Sequence, residues 1–268
     1  MIPENVRRFA EDPGAWGEIP VESGLTRILT DRYCLILGPV PTFTSVSRLR
    51  LDPDCVAEVL AEVRTRVAEA GHREAIWWVG PSTTPDDLVD RLTAHGLAPD
   101  ERPGSEPHST SMALLAEPTT APGDVEARRV ESLDDFRVAE RIAAAAFEES
   151  EREQAAYEAI LEESYAREQA GHSPRTYLAF LDGRPVGRGR ALFAPDCPAV
   201  LMIGGAVLHE ARGRGVYRAL VRARWDDAVA AGTPALVTHA GAMSRPILER
   251  LGFQAVAEQE ILLDPATA

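Results

Sequence analysis

Two rhythms of apolar residues alternate along the chain. One is helical: Val216, Ala219, Leu220 and Ala223, flanked by Val221, Trp225, Ala228 and Val229, form a broad apolar face. Gly232 and Pro234 bring that helix to an end. The other rhythm is extended: residues 203–208 and a stretch after Pro234 that ends at His239, before Gly241, read as strands on either side of it, and a short helix then closes on Leu251-Gly252-Phe253. Upstream, residues 125–130 read as a strand, and Ser132 caps a helix with Phe136, Ala139, Ala143 and Ala146 on its inner face. Residues 148–163 continue as a second, strongly acidic helix. Residues 177–181 and 185–193 form a hairpin about Asp182-Gly183, a pair suited to a type I′ turn.

The first half of the chain carries the same alphabet. Residues 30–37 and 44–51 read as strands separated by Gly38-Pro39-Val40-Pro41. Asp52 and Pro53 open a helix whose Val56, Val59, Leu60, Val63 and Val67 share one face, and Gly71 stops it. Residues 75–79 form a strand, 84–95 a helix and 109–115 a last strand, while residues 1–24, polar with three prolines, read as an arm. Strand, helix ending in Ala70-Gly71, strand, helix, His95-Gly96-Leu97 parallels strand, helix ending in Ala231-Gly232, strand, helix, Leu251-Gly252-Phe253. The expectation is a mixed α/β chain of two similar domains, residues 1–118 and 124–268, joined by a Pro- and Thr-rich linker over 117–123.

Composition narrows the partners. Of 268 residues, 45% are hydrophobic and 26% charged, as in a soluble globular protein. The net charge of −14, with all 28 basic residues arginine, disfavours nucleic acid and anionic membranes as partners. Cys34, Cys55 and Cys197 are odd in number and far apart, which suggests neither a disulfide framework nor a zinc site; the expectation is no metal. The opening residues lack the apolar core of a signal peptide, so a cytoplasmic monomer or homodimer is expected.

The richest chemistry lies at Arg212-Gly213-Arg214-Gly215-Val216-Tyr217, where a strand gives way to a helix. A helix start leaves backbone N–H groups unpaired and carries roughly +0.5 charge. Glycines let the main chain approach a ligand, and arginines grip phosphate oxygens, so this is an anion site. A Walker loop needs Gly-Lys-Ser/Thr, and the chain has no lysine; a dinucleotide fingerprint needs a glycine where Arg218 stands. The stretch resembles the signature of the GNAT superfamily of N-acyltransferases, Arg/Gln-x-x-Gly-x-Gly/Ala, with Arg212, Gly215 and Tyr217 at its defining positions. Residues 247–253 look like that family's closing helix and Leu-Gly-Phe turn, and the likeness spans about residues 125–264.

The resemblance implies the GNAT acyl-CoA N-acyltransferase fold, in two tandem copies similar in layout to the mycothiol synthase family. It implies acetyl-CoA as cosubstrate, its pyrophosphate on Arg212, Gly213, Arg214, Gly215, Val216 and Tyr217, and its pantetheine arm along Ala206, Val207 and Leu208. A backbone N–H near Leu208 would polarise the thioester. Three departures stand out: Tyr217 replaces a small residue, Gly241 stands where many members have asparagine, and Leu248 where many have a general-acid tyrosine. In the first half, Asp52 and Asp54 occupy the place of the cradle and would repel an anion, so that copy is expected to be degenerate.

Candidates for acid and base follow from position. Ser244 and Tyr217 are the hydroxyls nearest the expected thioester; Ser244 is equally suited to N-capping. His239 has the right unperturbed pKa for a base, or is a buried structural histidine. Glu148 and Glu149 could take the amine's proton, or lie on a solvated face. The expected reaction is direct attack by a primary amine on acetyl-CoA in a ternary complex. Together with Glu151, Glu153, Glu158, Glu162 and Glu163, these two glutamates suggest a small cationic acceptor. The alternative is a non-catalytic acyl-CoA-binding or regulatory module.

Overall fold

The computed structural model describes residues 1–40, 43–102, 104–119 and 123–265; Pro41 and linker residues 120–122 lie outside them. In chain order the elements are α1 (Glu4–Glu11), β1 (Thr26–Leu29), β2 (Cys34–Leu37), β3 (Thr44–Ser47), α2 (Val56–Glu69), β4 (Ala75–Val79), α3 (Leu88–Ala94), β5 (Ala98–Pro99) and β6 (His108–Leu114). There follow β7 (Glu126–Arg129), α4 (Leu133–Phe147), α5 (Glu151–Ala159), α6 (Leu161–Gln169), β8 (Arg175–Leu181), β9 (Arg184–Leu192), β10 (Val200–Val207), α7 (Val216–Ala230), β11 (Leu236–Ala240), α8 (Arg245–Arg250) and β12 (Gln254–Asp264).

One sheet runs through both halves, in the order β1-β2-β3-β4-β12-β6-β11-β10-β9-β8-β7, with β5 also on β12. The halves exchange strands to complete it. β6 comes from the first half but lies between β11 and β12, and β12 pairs with β6 over its first part and with β4 over Glu260–Asp264. Each half keeps its own apolar core. Trp77, Leu60 and Val63 centre one; Met202, Leu220 and Trp225 centre the other.

Local signals explain most elements. Ser132 Oγ accepts from the Asp135 amide at 3.1 Å, capping α4. Asp182 and Gly183 both have positive φ, 53° and 75°, as a type I′ hairpin turn requires. Four expectations need correction. Residues 30–37 are not one strand: the chain turns at 30–33 between β1 and β2. Asp52 caps nothing with its side chain; it precedes a 3₁₀ turn, Pro53–Cys55, that leads into α2. Residues 148–163 break into α5 and α6 at Ile160. Residues 1–24 are more than an arm: α1 buries Val6, Phe9 and Ala10 against the middle of the sheet, beside Ala113 and Val237.

The two faces of the second half's part of the sheet are occupied differently. A Cβ on Gly187 or Gly189 of β9 would meet Val216 or Arg224 of α7, whereas the alternate Arg188 reaches Glu140 of α4. α7 therefore covers one face, and α4 and α1 cover parts of the other.

Candidate functional site

β10 and β11 run parallel but stay together only briefly. They pair at Val200↔Leu236 and Leu201↔Val237, and one step further the Thr238 hydroxyl reaches across to the Met202 carbonyl at 3.0 Å. Beyond that the strands part. On its other edge β10 remains on β9, with a bulge between Ile203 and Ala206 that uses Gly204 at φ 56°. The Leu208 amide donates to the Val186 carbonyl at 3.0 Å, so it is turned toward β9 and away from the gap. By the alternation of a strand it is Val207 that addresses the gap, and Arg212 Nε indeed donates to the Val207 carbonyl at 3.3 Å. The backbone group that faces the gap is therefore that of Val207, not of Leu208 as the sequence suggested. The side chains of Ala206 and Leu208 pack toward α4, and Val207 packs toward α7.

At the end of the crevice the chain makes the expected cradle. Gly213 and Gly215 have φ of 76° and 90°, a conformation that side-chain-bearing residues resist, and Gly215 is the N-cap of α7. The first helical bond runs from the Ala219 amide to the Gly215 carbonyl, which leaves the amides of Val216, Tyr217 and Arg218 without intrahelical acceptors. Arg212 and Arg214 are exposed on the rim, Arg214 3.6 Å from the exposed Asp182 carboxylate. Tyr217 turns inward: a Cβ on Gly205 would lie 2.7 Å from its ring, and burial raises its phenol pKa. Its bulk therefore fills the space beneath β10 and leaves the cradle clear.

The corresponding seam in the first half is shut. β3 and β4 pair at Ser45↔Ile76 and Val46↔Trp77; Thr84 then bridges the gap, its amide donating to the Leu49 carbonyl and its carbonyl accepting from the Leu51 amide. The Thr84 hydroxyl adds a third bond, to the Leu51 carbonyl at 3.1 Å. The helix expected from residue 84 accordingly starts only at Leu88.

Residues 137–253 match the model of the acetyltransferase (GNAT) family. They form a GNAT domain. The whole fold is shared with a GCN5-related N-acetyltransferase from Kribbella flavida (19% identity, 97% of this chain and 95% of that one, TM-score 0.66). It is shared also with one from Sphaerobacter thermophilus (14%, 98% and 96%, TM-score 0.59) and with a tandem GNAT protein from the clavulanic acid biosynthesis pathway (17%, 87% and 78%, TM-score 0.55). The twelve strands thus comprise two GNAT-like halves, and the GNAT domain is that of an acyltransferase. No curated protein matches the sequence.

Around the GNAT crevice the acid–base candidates separate. His239 lies on the α1 face, its ring 4.8 Å from that of Trp78 and its Nε2 3.0 Å from the Ala10 carbonyl. Burial pushes its pKa down to about 4, against the pull of that carbonyl, so it is neutral and spent on packing. Ser244 is half-buried at the start of α8; its hydroxyl donates to the Gly241 carbonyl at 3.4 Å and caps no amide. Gly241 lies under the Glu106 carboxylate, which accepts from the Ala242 amide at 2.6 Å; a Cβ at Gly241 would come within 2.5 Å of it. Leu248 is fully buried.

Glu148 takes a left-handed conformation (φ 55°) at the end of α4 and points to solvent. Its neighbour Glu149 does the opposite. Half-buried, it has no hydrogen-bond partner for its carboxylate among the described residues, and burial, then Glu140 and Glu153, raise its pKa against the pull of Arg188. Tyr157 of α5, likewise without a partner for its hydroxyl, is raised by burial and then by Glu149 and Glu140. Beneath them Glu140 touches Arg188 and Arg190; burial alone would raise its pKa, but the two arginines hold it below the usual carboxylate range. The sequence reading missed Tyr157, Glu140, Arg188 and Arg190. Ile203 and Met243, 37% and 63% exposed, present apolar surface from the β10 side and the turn after β11.

Proposed function

We propose that the chain is an acetyl-CoA-dependent N-acetyltransferase, passing an acetyl group to the primary amine of a small molecule by direct attack in a ternary complex. The observation that carries this reading is the parting of β10 from β11 beside the unpartnered amides that open α7, with the half-buried, unpaired Glu149 in charge range of Arg188 on the neighbouring strand. The pyrophosphate sits on the amides from Gly213 to Tyr217 with Arg212 and Arg214 at the rim, and the pantetheine arm lies along Val207. Glu149 receives the acceptor's ammonium and takes its proton; a carboxylate raised by burial is a better base than an exposed one. The departing thiol, with a pKa near 8.5, needs less help than the amine.

Direct attack is favoured over an acyl-enzyme because no cysteine is available to carry the acetyl group. Cys34 and Cys55 belong to the first half, and Cys197 packs toward Gly17. Of the seven acidic residues that suggested a cationic acceptor, three are committed to other partners, and Glu148, Glu151 and Glu158 are exposed. Glu153 closes a capping box with Ser150, Glu162 pairs with Arg137 and Glu163 with Arg167, which leaves Glu149 to meet the ammonium itself.

The test is consumption of acetyl-CoA by the full chain against a broad panel of primary amines, with calorimetry of CoA alongside. Turnover with one CoA bound per chain supports the reading. Tight CoA binding without turnover on any amine replaces it with the non-catalytic module, the outcome to which Leu248 and Gly241 would then point.

A further inference from the structure

A buried arginine and a half-buried one beside the crevice share a single carboxylate. Arg188 is 5% exposed. Its Nη2 donates to Glu140 at 3.0 Å, its Nη1 to the Gly204 carbonyl that the β10 bulge frees, also at 3.0 Å, and its Nε has no acceptor. Arg190, on the same face of β9, lies 3.5 Å from the same Glu140 oxygen and keeps its Nε on the Thr176 hydroxyl at 3.2 Å. The next carboxylate, Glu168, is already engaged by the Thr176 amide and hydroxyl at 2.7 and 2.6 Å.

Removing a cation from water without a full partner is costly, so the unpaired Arg188 Nε and the Glu140 oxygen shared by both arginines leave these guanidinium groups able to take a further acceptor. The cluster is not sealed, since the side chains of Arg190 and Glu140 keep 22% and 19% of their surface. It faces α4 and α5, where Glu149 and Tyr157 lie without partners and where both respond to the Arg188 charge.

We propose that Arg188 and Arg190 hold a carboxylate of the acceptor, which is therefore an amino-acid-like molecule whose amine faces Glu149. This rests on the reading of the crevice as an N-acetyltransferase site. Planar guanidinium forks match a carboxylate in shape. Holding the carboxylate fixes the amine beside the thioester, the positioning on which acyl transfer depends.

The experiment compares free amino acids with their methyl esters and amides as acceptors for the full chain and acetyl-CoA. The wild type is expected to use the free acids, with kcat/KM lower by about 10²-fold for the esters and amides, chiefly through KM. In Arg190→Gln that preference should shrink to a few-fold while CoA affinity is unchanged; if that variant does not fold, Arg190→Lys should show a smaller loss of the same kind. Equal rates for acid and ester, or a preference that survives in Arg190→Gln, would overturn the carboxylate pocket and leave the acetyltransferase reading standing. If no amine turns over, that reading fails, and calorimetry of acid against ester on the CoA complex judges the pocket alone: tighter binding of the acid supports it and equal binding overturns it.

Discussion

Acid should loosen this protein through one imidazole in particular. His239 is packed between Trp78 and α1 with its Nε2 on the Ala10 carbonyl, and its pKa falls from the ordinary 6.5 to about 4 because burial disfavours the charged ring. The folded protein therefore takes up this proton less readily than the unfolded chain. The contribution to stability is intact above pH 6.5 and is lost as the pH falls toward 4. At 1.36 kcal/mol per pH unit the gap amounts to about 3 kcal/mol, a large share of the roughly 5–15 kcal/mol that holds a domain folded. Urea denaturation of the wild type and of His239→Gln at pH 7, 6, 5 and 4 measures it. Glutamine keeps a donor for Ala10 and does not titrate, and the difference between the two proteins cancels the carboxylates. The wild type should lose about 3 kcal/mol more than the variant between pH 7 and 4; parallel curves would refute the argument. The same variant speaks to chemistry. On the proposal that Glu149 is the base, the variant's kcat at pH 7 should stay within a few-fold of wild type, and a loss of about 10²-fold or more would restore His239 as the base.

Three other outcomes are expected. Gly215→Asp puts a carboxylate in the cradle at a φ of 90°, so calorimetry should find no CoA binding while strain of about 1–2 kcal/mol lowers the melting temperature by a few degrees; undiminished affinity refutes the cradle. Glu149→Gln should lower kcat/KM by about 10²-fold and remove an acid limb from its pH profile. Because the folded pKa of Glu149 is raised, its ionisation works against folding as the pH climbs past the ordinary carboxylate range, so this variant should be the more stable protein at pH 7; a less stable one contradicts the assignment. Residues 1–118 and 124–268 produced separately should stay unfolded and recover a cooperative melt when co-expressed, since β6 is buried between β11 and β12; a folded, CoA-binding 124–268 fragment would show the exchange to be dispensable.

The cradle could be read from the sequence because its requirements are local. Glycines must stand where φ is positive, and α7 must begin where the apolar period of 3.6 begins. Strand exchange could not be read that way, since nothing within residues 108–114 says which neighbours they will have. Glu148 and Glu149 are adjacent and chemically identical; only the left-handed turn at Glu148 sends one to solvent and the other inward. Arg188 and Arg190, at alternate positions beside Gly187 and Gly189 in a hairpin, carry no sign in the sequence that α4 covers their face. The helix α1 did leave a trace that was passed over: Ile2, Val6, Phe9 and Ala10 are spaced as one helical stripe in an otherwise polar stretch.

Thr84 shows what the other half is missing. Where the first half spends its own peptide groups to stitch two diverging strands, the second leaves the same stitches undone for a guest to make. A pantetheine chain, with two amides of its own, would serve there as a temporary strand. On the acetyltransferase reading this is a soft seam along one side of the crevice, and binding of CoA should tighten it. Hydrogen exchange along Ile203–Val207 would then slow on adding CoA alone, while Leu49–Leu51 stayed as it was.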